Sequence, residues 1–301
     1  MTTEARKTAI ITGTGGLGFE VALALTAQSI KVILAGRNPE KGKEAVQHIQ
    51  ARVPEAQLRF ECLDLASLDS IAQFSQRIKQ QYTQIDILIN NAGLLAPSKK
   101  LKTVDGFELQ LGTNYLGHFV LTQQLLPLLL QSPSAQVVSV TSLAYRIKPS
   151  GELLSETEPY NAFKVYAKSK LAQLLFALEL QRISNDKHWT LTSNAAHPGF
   201  AATNIFNNQT GNFSQYILNT ANKYLIQPLL GQSAAEGALP IIYAATSPNA
   251  NGGELYGPSG LFEMSGPPKI CHIDTHVTNE ETAALLWAQS EKLTGAYFPG
   301  K

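Results

Sequence analysis

Only two cysteines, Cys62 and Cys271, occur in the 301 residues. They provide neither a disulfide framework nor clustered metal-ligand spacing, so no metal site is expected. An excess of charge of one sign is also missing. The 24 Lys and Arg stand against 23 Asp and Glu, for a net charge of +1 and a pI near 7.8. That balance argues against nucleic acid or an acidic membrane surface as the main partner. The longest apolar run, Leu125 to Leu130, is short and broken by Pro127, well below the roughly 18 residues of a membrane span. The opening MTTEARKTAI lacks the apolar centre of a secretion signal. Repeats, low-complexity tracts and long linkers are absent too. With 44% hydrophobic residues the chain can bury a sizeable core, and the expectation is one soluble, cytoplasmic domain spanning 1–301.

What is present is an alternation. TAIIT, KVILAG, QLRFECL, IDILIN, QVVSVTS and a segment near TLTSNAA read as strands. Between them lie helical patterns: LGFEVALALTAQS, Pro39 to about Arg52, about Ser67 to Tyr82, about Asp105 to Leu130, and YNAFKVYAKSKLAQLLFALEL. Strands separated by helices of this length predict an α/β, Rossmann-type, doubly wound parallel sheet with helices on both faces. Ligands then bind at the carboxyl ends of the strands.

The chemistry-bearing motifs all fall at those ends. After the first strand, Gly13, Gly15 and Gly18 satisfy G-x-G-x-x-G within Gly13-Thr14-Gly15-Gly16-Leu17-Gly18. Such a loop lets backbone and helix N-terminus meet the pyrophosphate of a dinucleotide. The second strand ends at Arg37 rather than at an acid. A guanidinium there suits a 2′-phosphate, so NADPH/NADP+ is favoured over NADH. Asp64-Leu65 ends the third strand, and Asp64 either accepts the adenine amino group or caps its own turn. Asn90-Asn91-Ala92-Gly93 ends the fourth, with small side chains where a backbone would run along the cofactor.

In the last of the helical patterns, Tyr166 and Lys170 are four apart and share a face. Moving a phenol from near 10 to about 7 needs roughly 4 kcal/mol of preference for phenolate. A cation at about 4 Å, at an effective dielectric of about 20, supplies that order of energy. A rival pair, Tyr160 and Lys164, follows Pro159 and falls where the helix would only be starting. His118 and His197 read as packed histidines.

Together these residues resemble the short-chain dehydrogenase/reductase family, over essentially the whole chain. The resemblance rests on TGTGGLG, NNAG at 90–93, Asn114 in LGTNYLGHF, Ser142 in VVSVTS, Tyr166-x-x-x-Lys170 and HPG at 197–199. The texture is that of its retinol-dehydrogenase-like branch. It implies Tyr166 as general acid and base, and Lys170 lowering the tyrosine pKa and holding the nicotinamide ribose. It also implies Ser142 orienting the substrate carbonyl and Asn114 holding a water that returns protons. The family's Y-x-x-S-K pattern selects Tyr166, Ser169 and Lys170 over the Tyr160 pair. Pro198-Gly199 would pass beside the nicotinamide, with Thr203 bonding its carboxamide or a phosphate. The glycine loop departs from the family's T-G-x-x-x-G-x-G in being one residue shorter.

An apolar, aromatic segment at about 200–232 suggests a lid over a hydrophobic pocket, and hence an apolar aldehyde, ketone or alcohol as substrate. Two other functions fit the same scaffold: reduction of a carbon–carbon double bond in a tetrapyrrole-like molecule, and a non-enzymatic NADPH-sensing module. The long helices around Asp105–Leu130 and Pro159–Arg182 imply, by resemblance, a homodimer by four-helix packing.

Overall fold

The computed structural model describes residues 6–95, 99–149, 151–155, 159–200, 232–273 and 279–299. Eight strands form one sheet: β1 (Thr8–Thr12), β2 (Lys31–Gly36), β3 (Leu58–Cys62), β4 (Ile87–Asn90), β5 (Ala135–Val140), β6 (Leu191–Ala196), β7 (Leu255–Pro258) and β8 (Pro268–Ile270). Their order is β3-β2-β1-β4-β5-β6-β7-β8. All neighbours are parallel except β7 and β8, which pair antiparallel. The order reverses between β1 and β4, and a crevice opens there at the carboxyl edge.

Period-two alternation builds two cores. On β1, Ile10 faces one side while Ala9 and Ile11 face the other; on β2, Ile33 and Ala35 oppose Val32 and Leu34; on β4, Leu88 opposes Ile87 and Ile89. One face is covered by α1 (Leu17–Ala27), α2 (Pro39–Arg52) and α6 (Ala234–Thr246). The other is covered by α3 (Leu68–Gln81), α4 (Gly117–Leu129), α5 (Ala162–Asp186) and α7 (Glu280–Thr294). Strands buried from both sides read as near-continuous apolar runs, which is why they were recognisable in sequence.

Local signals set the helix bounds. Asn38 caps α2 ahead of Pro39 and Ser67 caps α3. Asn161 caps α5 by accepting from Lys164 N, so Tyr160 lies outside the helix and its pair with Lys164 is not stacked on one helical face. The expected helix over Asp105–Leu130 is shorter. Residues 102 and 108 form an isolated antiparallel bridge, helical backbone starts at Leu109, Leu111–Leu116 is a π-helical turn, and α4 continues from Gly117.

The outward side of α4 and α5 is filled from within the chain. Trp287 of α7 lies 5.1 Å from Phe119 and stacks on Phe176 at 5.6 Å, and Phe298 lies 4.5 Å from Trp287. Tyr115 Oη meets Ser290 Oγ at 2.7 Å beneath them. Among the described residues, no helix is long and apolar enough to cross a membrane.

Candidate active site

The carboxyl ends of β1 and β4 are laced together by one hydroxyl. Thr12 Oγ1 accepts from Asn91 N and Ala92 N, both at 2.9 Å, and lies 2.8 Å from His118 Nε2. His118 Nδ1 lies 2.7 Å from the Asn114 carbonyl, which can only accept. The ring therefore carries its proton on Nδ1, and Thr12 donates to Nε2. Burial lowers the His118 pKa to about 4, so the ring is neutral and structural. The sequence reading of a packed histidine agrees with this geometry.

The glycine loop follows β1. Gly13 has φ +92° and donates its N–H to Ala35 O at 2.7 Å. Gly18 is packed so closely that an added Cβ would sit 2.3 Å from Gly13 O. Gly15, by contrast, has nothing within 4 Å of where its Cβ would be, and Gly16 caps α1 with no side-chain hydrogen bond. Leu17 is buried behind the loop. The residues present thus fit an anionic group approaching along the backbone and the free amides of the α1 N-terminus, despite the shortened loop. Gly36 abuts Thr14 of this loop, a Cβ there lying 3.0 Å from Thr14 Cγ2, which places Arg37 beside it. Asp64 caps its own turn, its Oδ1 accepting from Ala66 N at 2.9 Å. Leu65 packs under α4, where its carbonyl would lie 2.4 Å from a Cβ at Gly117. Asn91 Nδ2 donates to Thr12 O at 2.7 Å, so this side chain braces the sheet edge, leaving Ala92 and Gly93 to line it.

Asn114 and Lys170 lie next to Gly93, with Tyr166 one turn before Lys170 on α5 and Ser142 just past the end of β5. Asn114, inside the π-helical turn, accepts from Leu94 N at 2.8 Å and donates to Leu94 O and Ser169 Oγ, each at 3.0 Å. Ser142 caps a short 3₁₀ turn, Leu143–Arg146, its Oγ accepting from Ala144 N at 3.3 Å. Tyr166 is buried, and burial raises its pKa, with the nearby Ser142 hydroxyl opposing. Lys170 Nζ lies 5.7 Å from the Tyr166 ring centroid and donates to Val140 O at 3.0 Å and Gln173 Oε1 at 2.8 Å. Burial lowers its pKa to about 7. The expected acidification of Tyr166 by Lys170 therefore does not appear in this geometry. Desolvation penalises both charged forms, and the ammonium is turned toward a carbonyl and an amide.

Pro198 and Gly199 follow β6. Gly199 has φ +64°, and a Cβ there would sit 2.4 Å from Met264 O, so only glycine fits the turn. Phe200 and Gln232, at the ends of the expected lid, are hydrogen-bonded to each other at 3.1 Å. Thr203 and the body of the expected lid lie outside the described residues.

Sequence reasoning missed a buried cluster behind this turn. Glu263 Oε2 accepts from Arg146 Nη2 at 2.6 Å and from His197 Nε2 at 3.1 Å, and Cys271 Sγ lies 3.6 Å from the same nitrogen. The three potential ligand atoms of His197, Glu263 and Cys271 lie within 4.8 Å of one another. His197 Nδ1, however, accepts from Gly199 N at 3.2 Å, which fixes the proton on Nε2, and Arg146 already pairs the carboxylate. The cluster is a hydrogen-bonded brace between the Ser142 turn and the 197–199 turn. Burial raises the Glu263 pKa, but the His197 hydrogen bond and the Arg146 charge outweigh it and hold it at about 2. Burial and then Glu263 push the Cys271 thiol up to about 12. Phe262 and Glu263 both have positive φ, +52° and +59°, a conformation non-glycine residues seldom hold without a reason. No spacing in the sequence announces this contact, because its members come from four separate segments.

A cavity of about 390 Å³ lies between residues 145–153 and α7, floored by Leu153, Leu171, Leu285 and Leu286. Ser142, Tyr166 and Lys170 do not line it.

Residues 7–212 match the short chain dehydrogenase family. The chain is 35% identical over 299 residues to polyprenol dehydrogenase of Mus musculus, covering 96% of this chain and 84% of that one. It is 35% identical over 298 residues to retinol dehydrogenase 13 of Homo sapiens, covering 97% and 86%. The crystal structure of an uncharacterized protein from Mycobacterium Paratuberculosis matches with a TM-score of 0.76 at 35% identity, covering 98% of this chain and 96% of that one.

Proposed function

As the chain belongs to the short chain dehydrogenase family and is an oxidoreductase of its retinol-dehydrogenase-like branch, we propose that it uses NADPH/NADP+ to interconvert an apolar aldehyde or ketone and its alcohol. The observation that carries this reading is Lys170 Nζ beside Gly93 and 5.7 Å from the Tyr166 ring centroid, with Ser142 near enough to the phenol to lower its pKa.

When bound, the dinucleotide supplies or accepts the hydride; the protein handles the proton and the geometry. Ser142 donates to the substrate oxygen and orients the carbonyl. Tyr166 gives that oxygen its phenolic proton in reduction and takes it back in oxidation. A raised phenol pKa keeps Tyr166 protonated at neutral pH, which suits the acid's role in reduction. Lys170 holds the ribose hydroxyls, and Asn114 keeps the Leu94 backbone in place and holds the water that returns protons. The glycine loop and the α1 N-terminus receive the pyrophosphate, Asp64 and Leu65 flank the adenine, and Pro198 and Gly199 flank the nicotinamide.

Arg37 beside the glycine loop, with no acid at the end of β2, supports NADPH over NADH. The names of two relatives, polyprenol and retinol dehydrogenase, denote long apolar alcohols, which supports an apolar substrate. The cytoplasm fits the low cysteine content.

The test is oxidation of NADPH, and separately NADH, with a panel of apolar aldehydes and ketones, with Tyr166→Phe and Arg37→Ala run beside the wild type. Turnover with NADPH should be lost in Tyr166→Phe while binding of NADPH persists. Arg37→Ala should raise the KM for NADPH by about tenfold or more and leave that for NADH nearly unchanged, the loss expected for one charge-assisted contact. Equal turnover in Tyr166→Phe would remove the phenol from the chemistry. Reduction of a conjugated double bond in place of a carbonyl would move the enzyme to the tetrapyrrole-like alternative.

A further inference from the structure

Lys170 is a buried amine whose pKa is governed by burial, with no carboxylate among the described residues acting on it. From α5 it faces the Tyr166 ring at 5.7 Å. From α4 comes His118, which is neutral and whose own titration feels the Lys170 charge. A Cβ at Gly93 would lie 3.4 Å from Nζ and 3.5 Å from Asn114 Oδ1, so the end of β4 and the π-helical turn also crowd it. From the end of β5 comes the Val140 carbonyl at Nζ, and just past it the Thr141 hydroxyl donates to the Lys170 carbonyl at 2.7 Å. Neither titratable neighbour, Tyr166 nor His118, is an anion at neutral pH. The ammonium is held by neutral acceptors, and one of them is a side chain.

That side chain is Gln173, one helical turn beyond Lys170 and 1% exposed. Its Oε1 accepts from Nζ at 2.8 Å, while its Nε2 has no hydrogen-bond partner among the described residues. An ammonium can only donate, so the amide must present oxygen to it and leave its own NH₂ unsatisfied. An amide that leaves its donor unpaired in a buried site is oriented by a stronger demand than its own satisfaction, and here the demand is Lys170.

We propose that Gln173 is a positioning residue that keeps Lys170 protonated and fixes its Nζ beside Tyr166, for the hydride-transfer chemistry assigned to this site above, on which the proposal rests. A glutamine at this place acts without bringing a second charge into the pocket. The ammonium is favoured just enough to be present near neutrality and can still give up its proton.

Two near-isosteric substitutions separate this role from simple packing. Gln173→Met removes the acceptor, and Gln173→Glu replaces it with an anion. Lys170 is titrated directly by NMR of protein labelled at lysine ¹³Cε, with no cofactor or substrate added, and its signal is assigned by its loss in Lys170→Met. In Gln173→Met the Lys170 midpoint should move to lower pH by about one unit, and in Gln173→Glu to higher pH by at least about one unit. In the reductive direction the active lysine is protonated, so kcat/KM with NADPH falls as pH rises through its pKa. That alkaline limb should move down in the Met variant and up in the Glu variant.

Shifts in the same direction, or shifts below about 0.3 unit in both, would overturn the proposal, because a packing role does not invert with the sign of the group. Opposite NMR shifts with an unmoved alkaline limb would overturn its catalytic half. A wild type with no turnover on any carbonyl, but with the opposite NMR shifts, would sink the site reading and leave the coupling of Gln173 to Lys170 standing. If Gln173→Met does not fold, Gln173→Asn, which withdraws the amide by one methylene, replaces it with the same expected acid shift.

Discussion

Replacing Glu263 tests whether the brace behind the 197–199 turn is energetic or incidental. Glu263→Leu leaves the His197 Nε2–H, fully buried, facing only the Cys271 sulfur at 3.6 Å. A buried donor left without an acceptor costs about 1–3 kcal/mol. The Arg146 guanidinium also loses its partner, but its side chain is 39% exposed and can turn to water, so that part costs at most about 1 kcal/mol. The sum is about 1–4 kcal/mol. Glu263→Gln keeps an acceptor for His197 and forfeits only the charge, so it should cost about 1 kcal/mol. Urea denaturation of the three proteins at pH 7 reads both numbers, and the gap between the two variants isolates the orphaned histidine.

The pH dependence gives a second reading of the same group. The native carboxyl is held at about 2, below its ordinary 4.5. Its contribution is therefore fully present above about pH 4.5 and is lost as pH falls toward 2. Wild type should lose stability across that window with a steeper slope than either variant. Should Glu263→Leu prove within about 0.5 kcal/mol of wild type, the spread of ordinary surface substitutions, or should the acid slope be the same in all three, the cluster does not bear on stability as argued.

Trp287→Ala removes a side chain packed between Phe119, Phe176 and Phe298 and should destabilise by about 3–5 kcal/mol, read as an earlier thermal or urea midpoint. Gly18→Ala drives a methyl to 2.3 Å from Gly13 O, a backbone atom. It should abolish dinucleotide binding, measured by quenching of protein fluorescence, with circular dichroism to check that the fold persists. A Gly15→Ala control, at a position where nothing lies within 4 Å, should keep the fold's stability intact. Equal stability losses at Gly15 and Gly18 would contradict the packing described.

The sheet was legible because its strands are buried on both faces and punctuated by Gly, Pro and capping residues, as at Asn38-Pro39 and Ser67. The placement of motifs at strand ends followed from that alone. The region after β6 was poorly legible. β7 is only Leu255–Pro258 and β8 only Pro268–Ile270, too short to carry a period, and α6 contains Pro240 within its helical run. The helical region expected from about Asp105 starts at Leu109 and runs through a π-helical turn, Leu111–Leu116, that contains Asn114. Local pattern does not distinguish such a turn from the α-helix that follows.

Tyr166, Lys170 and Ser142 were singled out from sequence by motif, but their electrostatics were not readable there. A charge at four residues' spacing suggested an acidified phenol, whereas burial dominates both groups. Gln173 left a trace that could have been read: one amide inside the apolar run Leu171 to Leu178, a turn after the lysine. Glu263 left none, since its partners are brought together only by the sheet.

The cover over α4 and α5 also dictates when this protein can finish folding. Phe119 and Phe176 are closed over by Trp287 and Phe298, residues made more than a hundred positions later. During synthesis the helix bearing Tyr166 and Lys170 therefore stays greasy on its outer side until Trp287 and Phe298 have left the ribosome. That helix is sealed by a contact of high sequence separation on an already slow parallel sheet.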